Sequence, residues 1–418
     1  MRKCKLGDLF QIKQGFAFKS ANYVDNSQYA IVTLANISES NNFQYNLANM
    51  RYYEGEFPDS VILKSGDLIL PMTEQVEGLF GNSAFVPKEN NVTFVLNQRV
   101  GLVKPFLDSD RFYIHYLLAL DSVRQQLEYR ATGTRQRNIS PDGIYDVNVE
   151  IHEPKERERI GEFLYRLEQK VNNNNNIIQL LESKGKEFYD YWFVQFDFPD
   201  ANGRPYKTSG GKMEWNETLS REIPVGWEVK TLFDFVELKT DSHNPQESPD
   251  SVYEHYSIPA FDKEQFPVME KGAQINSSKY CVAKDDILYS KLNPSVKRIW
   301  SPFVFTDKAV CSTEFLVFRV KNMKGYSYIY SVMNDDAFQS YMIQQSSSST
   351  GSRKRVQPSN CMNYSFAVAN DELCDKYSRV YHPIFEKRKR MIIENEKLAS
   401  LRDFLLPMLM NGQVTFRQ

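Results

Sequence analysis

Apolar residues recur along one stretch of this chain with the spacing of a long amphipathic helix. Between Pro154 and about Trp192, two sets of positions each repeat every seven residues, and together they form the alternating seam of a coiled coil. The first set is Ile160, Leu167, Asn174, Leu181 and Phe188, and the second is Leu164, Val171, Ile178, Gly185 and Trp192. The pattern predicts a helix of about 55 Å, at 1.5 Å per residue, which is too long for the core of one small domain.

A second stretch of this kind closes the chain, from about Asp371 to Met410. Its seven-residue repeat is Ile384, Met391, Leu398 and Leu405. Each predicted helix follows a segment with strand and turn signals. The predicted boundaries are a first domain over 1–150, a central long helix over 151–192, a connector over 193–222, a second domain over 223–370 and a C-terminal long helix over 371–418.

Short β-rich runs between polar turns predict mixed α/β domains in both globular segments. In the first segment the predicted strands are Tyr29–Ile37, Asp67–Leu70, Val92–Leu96 and Val100–Val103, followed by a helix over Phe112–Tyr129. In the second they are Tyr256–Phe261, Asp286–Tyr289, Phe303–Phe305 and Phe315–Phe318, followed by a helix around Tyr328–Met342.

The two segments also match each other in sequence. Thr132–Arg137 aligns with Thr350–Arg355 at a shift of 218 residues, and two shorter matches lie close to that shift. Matches in the same order, together with two long helices, indicate a duplicated unit rather than two unrelated domains. The predicted fold class is therefore α+β: two similar mixed α/β domains joined by two long antiparallel coiled-coil helices with pseudo-two-fold symmetry.

Composition limits the possible functions of the chain. Its 418 residues carry a formal net charge of −2, so any nucleic-acid surface must come from local basic clusters. Its five cysteines form no CxxC pair, which indicates a reduced, cytoplasmic setting and argues against structural zinc. No apolar run approaches 18 residues and the N-terminus lacks a signal-peptide core, so neither a membrane span nor secretion is predicted.

The duplicated Thr-Gly-(Thr/Ser)-Arg-x-Arg loops are the strongest candidates for binding DNA. Basic side chains neutralise phosphate or bind the edge of guanine with two hydrogen bonds, and amide side chains pair with the edge of adenine. The alternative is a pair of solvated loops with a basic bias. The predicted DNA-binding residues are Thr132, Thr134, Arg135, Gln136, Arg137 and Asn138 in the first loop, Ser352, Arg353, Lys354, Arg355 and Gln357 in the second, and the basic group Lys291, Lys297 and Arg298.

Two polar runs lie within the predicted long helices. Lys387–Arg390 is interpreted as a solvated helix face. The run Asn172–Asn176 consists of poor helix formers and is either a weak point, a register device at the seam position Asn174, or low-complexity drift.

The connector and the ends of both helices resemble a known family. Phe188–Pro199, Asn202–Met213 and Arg221–Trp227 resemble the central region of specificity (S) subunits of type I restriction-modification systems, and Leu398–Val414 resembles their C-terminal region. The resemblance implies two target recognition domains that each read one half of a bipartite site in double-stranded DNA. It also implies long helices that act as a ruler and dock two methyltransferase (M) subunits, to which restriction (R) subunits can add.

The same resemblance implies a subunit with no catalytic residues and no cofactor of its own, since S-adenosylmethionine, ATP and Mg²⁺ would belong to the partner subunits. Two alternatives remain open. One is a stand-alone Mg²⁺-dependent endonuclease that uses Asp142, Glu153 and Lys155, a very degenerate pattern. The other is a coiled-coil assembly scaffold without DNA specificity.

Overall fold

The chain folds as two compact α+β units that share two long helices. The structure is a computed structural model that describes residues 1–38, 40–75, 77–322, 325–347 and 354–416, with the backbone alone for Ser347. One unit comprises Met1–Val171 with Leu398–Gln418, and the other comprises Asn172–Lys397. Each long helix therefore contributes residues to both units. Within the described ranges, no helix combines the length and the apolar character needed to cross a membrane.

Unit 1, Met1–Val171 with Leu398–Gln418, contains two four-stranded sheets. The first is antiparallel, in the order Phe10–Gln14, Val100–Pro105, Leu68–Pro71 and Ala84–Phe85. The second, in the order Tyr23–Val24, Arg51–Tyr53, Tyr29–Val32 and Thr93–Leu96, has one parallel pair between its last two strands. Two smaller pairs join Arg2–Lys5 to Asn148–Ile151 and Thr73–Glu74 to Arg137–Asn138.

Unit 2, Asn172–Lys397, has a similar sheet plan, with a fifth strand in its second sheet. Its antiparallel sheet runs Val236–Lys239, Phe315–Val320, Asp286–Ser290 and Ile299–Trp300. Its second sheet runs Ser242–His243, Lys279–Cys281, Ala309–Cys311, Val252–Tyr256 and Val268–Lys271, again with one parallel pair. The small pairs are Glu228–Thr231 with Ser365–Val368, Ser346–Ser347 with Arg355–Val356, and the connector hairpin Met213–Asn216 with Arg221–Pro224.

Each unit also carries a pair of helices between its last sheet strand and its basic loop. They are Arg111–Leu118 and Asp121–Arg130 in unit 1, and Tyr326–Asn334 and Asp336–Gln344 in unit 2. The sequence predicted one helix at each place, but a break at 119–120 and another at Asp335 divide them. Short helices Pro141–Tyr145 and Pro358–Met362 follow the two loops. The shared element order and sheet plan confirm the predicted duplication.

Two predicted strands of unit 2 are wrong. Tyr256 ends a strand, but Ile258–Glu264 is a helix, because Ser257 caps it through the backbone N–H of Ala260 and Pro259 occupies its first turn. Residues 303–305 form a loop. Tyr256 Oη accepts hydrogen bonds from the backbone N–H groups of Phe303 and Val304, and Glu254 accepts from that of Phe305. These acceptors take the place of a neighbouring strand.

The long helices span Pro154–Tyr189 and Asp371–Met410. The first continues as a π-helical turn over Asp190–Val194. Half of its predicted seam positions are buried, namely Ile160, Leu164, Asn174, Gly185 and Trp192, and the other half are half-buried. Gly161 allows the helix to approach its own domain closely, because a Cβ there would lie 2.5 Å from the backbone nitrogen of Tyr113.

The two long helices run antiparallel within each unit. In unit 2, Phe188 stacks on Tyr377 with ring centroids 5.1 Å apart, and the seam glycine Gly185 faces Tyr381. In unit 1, Ile160 and Leu164 share a core with Leu409 and Met410 from the end of the second helix. Mutual burial of the seams is what keeps helices of this length folded.

The basic run Lys387–Arg390 is only partly solvated, so its interpretation as a solvated face is wrong for two of its residues. Arg388 pairs with Glu182 at 2.6 Å and also donates to the Gln265 side chain. Lys389 donates to the Pro302 carbonyl at 2.8 Å and lies over the Phe303 ring. Both residues therefore tie the helix to the rest of unit 2.

A buried ion pair in unit 1 gives a stability prediction. Arg157 and Asp110 form a two-pronged pair, with N–O distances of 2.7 and 3.0 Å, and both side chains are almost fully buried. Replacing Asp110→Ala leaves the Arg157 charge uncompensated, so the free energy of unfolding should fall by about 3–5 kcal/mol. Denaturant titration followed by far-ultraviolet circular dichroism measures this change. The control Glu162→Ala, which removes an exposed pair with Arg166, should cost less than about 1 kcal/mol. Equal losses would contradict the assignment.

Lys389 gives a prediction about pH. Burial lowers the pKa of Lys389 from 10.5 to about 8. Between these values the unfolded chain binds more protons than the folded one, so this residue makes stability rise with pH over that window. Urea titrations at about pH 7.5 and 9.5 should show a smaller rise in Lys389→Met than in the exposed control Lys387→Met. The same rise in both variants would rule out the lowered pKa.

Candidate nucleic-acid interface

The first basic loop is a closed turn at the edge of unit 1. Thr132 and Asn138 exchange backbone hydrogen bonds of 2.9 and 2.8 Å, which closes the loop at its base. Gly133 has a φ of +108°, and a Cβ there would lie 2.2 Å from the Gln136 carbonyl oxygen. The turn therefore requires glycine, which explains part of the duplicated motif.

The second arginine of this loop is used inside the fold. Arg137 pairs with Glu74 at 2.8 Å and with Glu128 at 2.5 Å, and its side chain is 20% exposed. The strand that contains it pairs with Thr73–Glu74, and Thr73 Oγ1 donates to Asn138 Oδ1 at 2.8 Å. Burial raises the pKa of Glu74, and the Arg137 charge opposes that shift. Arg137 thus anchors the loop to the sheet.

The rest of the loop faces solvent. Thr132, Thr134, Arg135 and Asn138 are exposed, and Gln136 is half-buried. Gln136 Nε2 donates to Asn138 Oδ1 at 3.3 Å, a long contact that a ligand can replace. In the part of the chain that the structure describes, Arg135 makes no ion pair. Arg135 and Gln136 are therefore available to a ligand.

Unit 1 also contains a polar cleft of about 530 Å³, which sequence reasoning missed. Gln75 links this cleft to the loop, because it directly follows the strand that pairs with the loop. Among the described residues that line the cleft, none carries a carboxylate. Its amide and guanidinium side chains are Asn36, Asn49, Arg51, Gln75, Asn97, Gln98 and Arg99.

The turn Asn97–Arg99 forms one wall of the cleft and is held from both sides. Asn97 Oδ1 accepts the backbone N–H of Arg99 at 3.1 Å, and the Arg99 carbonyl accepts the N–H of Met72 at 2.8 Å. Gln98 and Arg99 have exposed side chains. Amides and guanidinium groups on a fixed backbone, with no competing acid, are suited to reading the edges of bases.

The second basic loop is described only in part, since Ser352 and Arg353 lie outside the described residues. Arg355 binds Glu314 with N–O distances of 2.7 and 3.0 Å, so its charge is already balanced. The Val356 N–H donates to the Lys291 carbonyl at 3.1 Å, which places Lys291 beside the loop. Lys354 and Gln357 are exposed, and Lys291 is half-buried.

The other two residues of the predicted basic group are paired within unit 2. Lys297 contacts Asp336 at 2.8 Å and the Asn334 carbonyl at 2.8 Å. Arg298 binds Asp262 with two contacts of 2.6 and 2.9 Å. Both hold neighbouring helices in place, as Arg137 and Arg355 hold their loops.

The two carboxylates of the endonuclease pattern lie in different elements. Asp142 lies in the short helix Pro141–Tyr145, and the carbonyl of Glu153 accepts hydrogen bonds from the first turn of the long helix. Over the described ranges, no group of three or more His, Cys, Asp or Glu side chains is placed to hold a metal ion.

Comparison with known proteins places these features in context. Residues 1–183 match the family described as type I restriction modification DNA specificity domain. The chain is 26% identical over 321 residues to the type I restriction enzyme MjaIX specificity subunit of Methanocaldococcus jannaschii, an alignment that covers 72% of this chain and 68% of that protein. It is 20% identical over 429 residues to the HindI specificity subunit of Haemophilus influenzae, covering 88% and 90%.

A solved structure shows the same fold. The S subunit of a type I restriction-modification system from M. genitalium superposes with a TM-score of 0.61 at 15% identity, and the match covers 98% of this chain and 95% of that one. At this identity the likeness is evidence for the fold alone. The chain therefore shares its fold with that protein.

The two arginines of the first loop have separable roles, which gives a prediction. Arg137→Leu leaves Glu74 buried without its cationic partner, so the free energy of unfolding should fall by about 2–3 kcal/mol. Arg135→Leu, the matched control two residues away, should leave stability within about 0.5 kcal/mol. Denaturant titration of both variants checks this. A loss in Arg135→Leu as large as in Arg137→Leu would show that the loop is anchored differently.

Proposed function

The chain belongs to the family of type I restriction-modification specificity subunits, and from this premise we propose which of its surfaces read DNA. As a specificity subunit it is the part of its complex that recognises a DNA sequence. We propose that each unit reads one half of a bipartite site through its basic loop and the surface beside that loop. The observation that carries the proposal is the carboxylate-free cleft of unit 1, whose lining residue Gln75 directly follows the strand paired with the loop.

The chemistry of the cleft suits base edges in the major groove. Arginine binds the O6 and N7 atoms of guanine with two hydrogen bonds, and asparagine or glutamine binds N6 and N7 of adenine in the same way. Arg51 and Arg99 supply the first kind of group, and Gln75, Asn97 and Gln98 the second. Arg135 at the loop tip is suited to phosphate. A positively charged local surface is needed because the chain as a whole carries a net charge of −2.

The second half-site is assigned to unit 2. Lys291, Lys354 and Gln357 are the available residues of the described part, and Ser352 and Arg353 complete the predicted loop. The groups assigned to reading differ, since unit 1 offers amides and guanidinium groups, whereas the described residues assigned in unit 2 are two lysines and one amide. The two half-sites are therefore expected to differ in sequence.

Four of the basic residues predicted to bind DNA are reassigned to structural roles. Arg137, Lys297, Arg298 and Arg355 each have a carboxylate partner at 2.8 Å or closer within their own unit. If one of these side chains turned to bind DNA, its carboxylate partner would lose its cation. The cost of that unpaired carboxylate opposes the free energy gained from the DNA contact. We therefore propose that these four side chains shape the loops and their supports.

The partners proposed for this chain follow from its duplication. Two units with a similar sheet plan present two equivalent docking surfaces, which supports one M subunit for each unit, with R subunits joining that complex. Methylation and cleavage are assigned to those partners, together with S-adenosylmethionine, ATP and Mg²⁺. A cytoplasmic setting is proposed, in keeping with five unpaired cysteines.

The cleft assignment predicts a loss of affinity confined to one half-site. With the full chain and a duplex obtained by selection, Arg99→Ala and Arg135→Ala should each weaken binding by about 1–3 kcal/mol, roughly 5- to 150-fold. Arg99→Ala should also relax base preference in the half-site read by unit 1, whereas Arg135→Ala should mainly reduce the salt dependence. Binding isotherms at several salt concentrations separate the two effects.

The matched control is Arg166→Ala, which removes an exposed arginine of the same unit that is paired with Glu162 on the long helix. The affinity of this variant for the selected duplex should stay within about twofold of the affinity of the unaltered chain. If Arg99→Ala changes neither the affinity for the duplex nor the base preference in the half-site read by unit 1, the cleft is not the reading surface.

A further inference from the structure

One polar residue interrupts the apolar seam of the long helices inside unit 2. Asn174 occupies a seam position and is 0% exposed, although its four asparagine neighbours are exposed or half-buried. Its Nδ2 group donates to Glu394 Oε2 at 2.9 Å and to Asn395 Oδ1 at 2.8 Å on the opposite helix. Asn395 Nδ2 returns a hydrogen bond of 2.7 Å to Asn175 Oδ1. We call these four residues the asparagine layer.

The layers next to it are apolar and well matched. Ile178 packs in a core that includes Ile392 and Ile393, one turn along the opposite helix. Further on, a Cβ at Gly185 would lie 2.7 Å from the Tyr381 ring, so that crossing fits only glycine. Apolar layers tolerate neighbours of similar shape, whereas the asparagine layer requires particular hydrogen-bonding partners.

A shift of the helix pair would break this layer first. Moving one helix by about one turn would bring Asn174 against Leu398, which has no acceptor, or Met391, whose thioether is only a weak one. A buried amide left without partners costs about 1–3 kcal/mol. A polar residue at a seam position therefore selects one pairing at some expense in stability. Among the described residues, Asn174 Oδ1 has no hydrogen-bond partner, which is part of that expense.

We propose that the asparagine layer fixes the register of the two long helices and thereby the number of unread base pairs between the two half-sites. The inference rests on the proposed function. Both helices contribute residues to both units, and the inference is that their pairing sets the spacing at which the two half-sites are read. Residues that never touch DNA then determine which spacer is accepted.

Selection from a duplex library with both half-sites fixed and the spacer varied in length tests the proposal. The full chain should enrich one spacer length strongly. The double variant Asn174→Leu with Asn395→Leu should also enrich at least one other spacer length. The enrichment of that length should be within about tenfold of the enrichment of the original length. The control Asn176→Leu changes an exposed asparagine of the same run and should behave as the unaltered chain.

Thermal unfolding of the same proteins distinguishes lost register from lost structure. A leucine layer removes a buried polar pair, so the melting temperature of the double variant should stay equal or rise while its spacer choice broadens. A variant that melts normally, selects the same half-sites and keeps the single original spacer would overturn the inference and leave the proposed function standing. No enriched sequence with the unaltered chain would overturn both.

Discussion

Mutual burial of two apolar seams is the constraint on which the rest of the structure depends. The two helices have 36 and 40 residues, and most of the stability of a helix in a protein comes from packing of its apolar face, so each helix depends on the other. In unit 1 the seam joins the domain core through Ile160 and Leu164, and in unit 2 through Tyr377 and Tyr381. The domains are therefore held on a support that is itself part of each core.

The sequence predicted this support well because its signal is periodic and local. Positions seven residues apart are on one face of a helix whatever the rest of the chain does. The strand predicted over Tyr256–Phe261 is wrong because the apolar pattern there is ambiguous. The Ser257 cap and Pro259 in the first turn favour a helix instead. The loop at 303–305 depends on acceptors about 50 residues away in the chain, which periodicity cannot reveal.

The candidate interface was predicted only in part, for a similar reason. The duplicated loops stand out in the sequence, but ion pairing over distances such as 63 residues, as between Glu74 and Arg137, decides which of their arginines are available. The cleft is assembled from the start of the strand at Arg51, from Gln75 and from the turn Asn97–Arg99, which look ordinary when taken singly. The signal that would have found it is the clustering of amides and arginines in turns that follow paired strands.

The central claim is that one chain carries two separate reading surfaces on a shared support. Footprinting of the full chain on a selected duplex tests it most directly. The account predicts two protected tracts of different sequence, separated by an interval of constant length in which sequence changes leave affinity unaltered. A single continuous tract, or protection that does not depend on sequence, would contradict it.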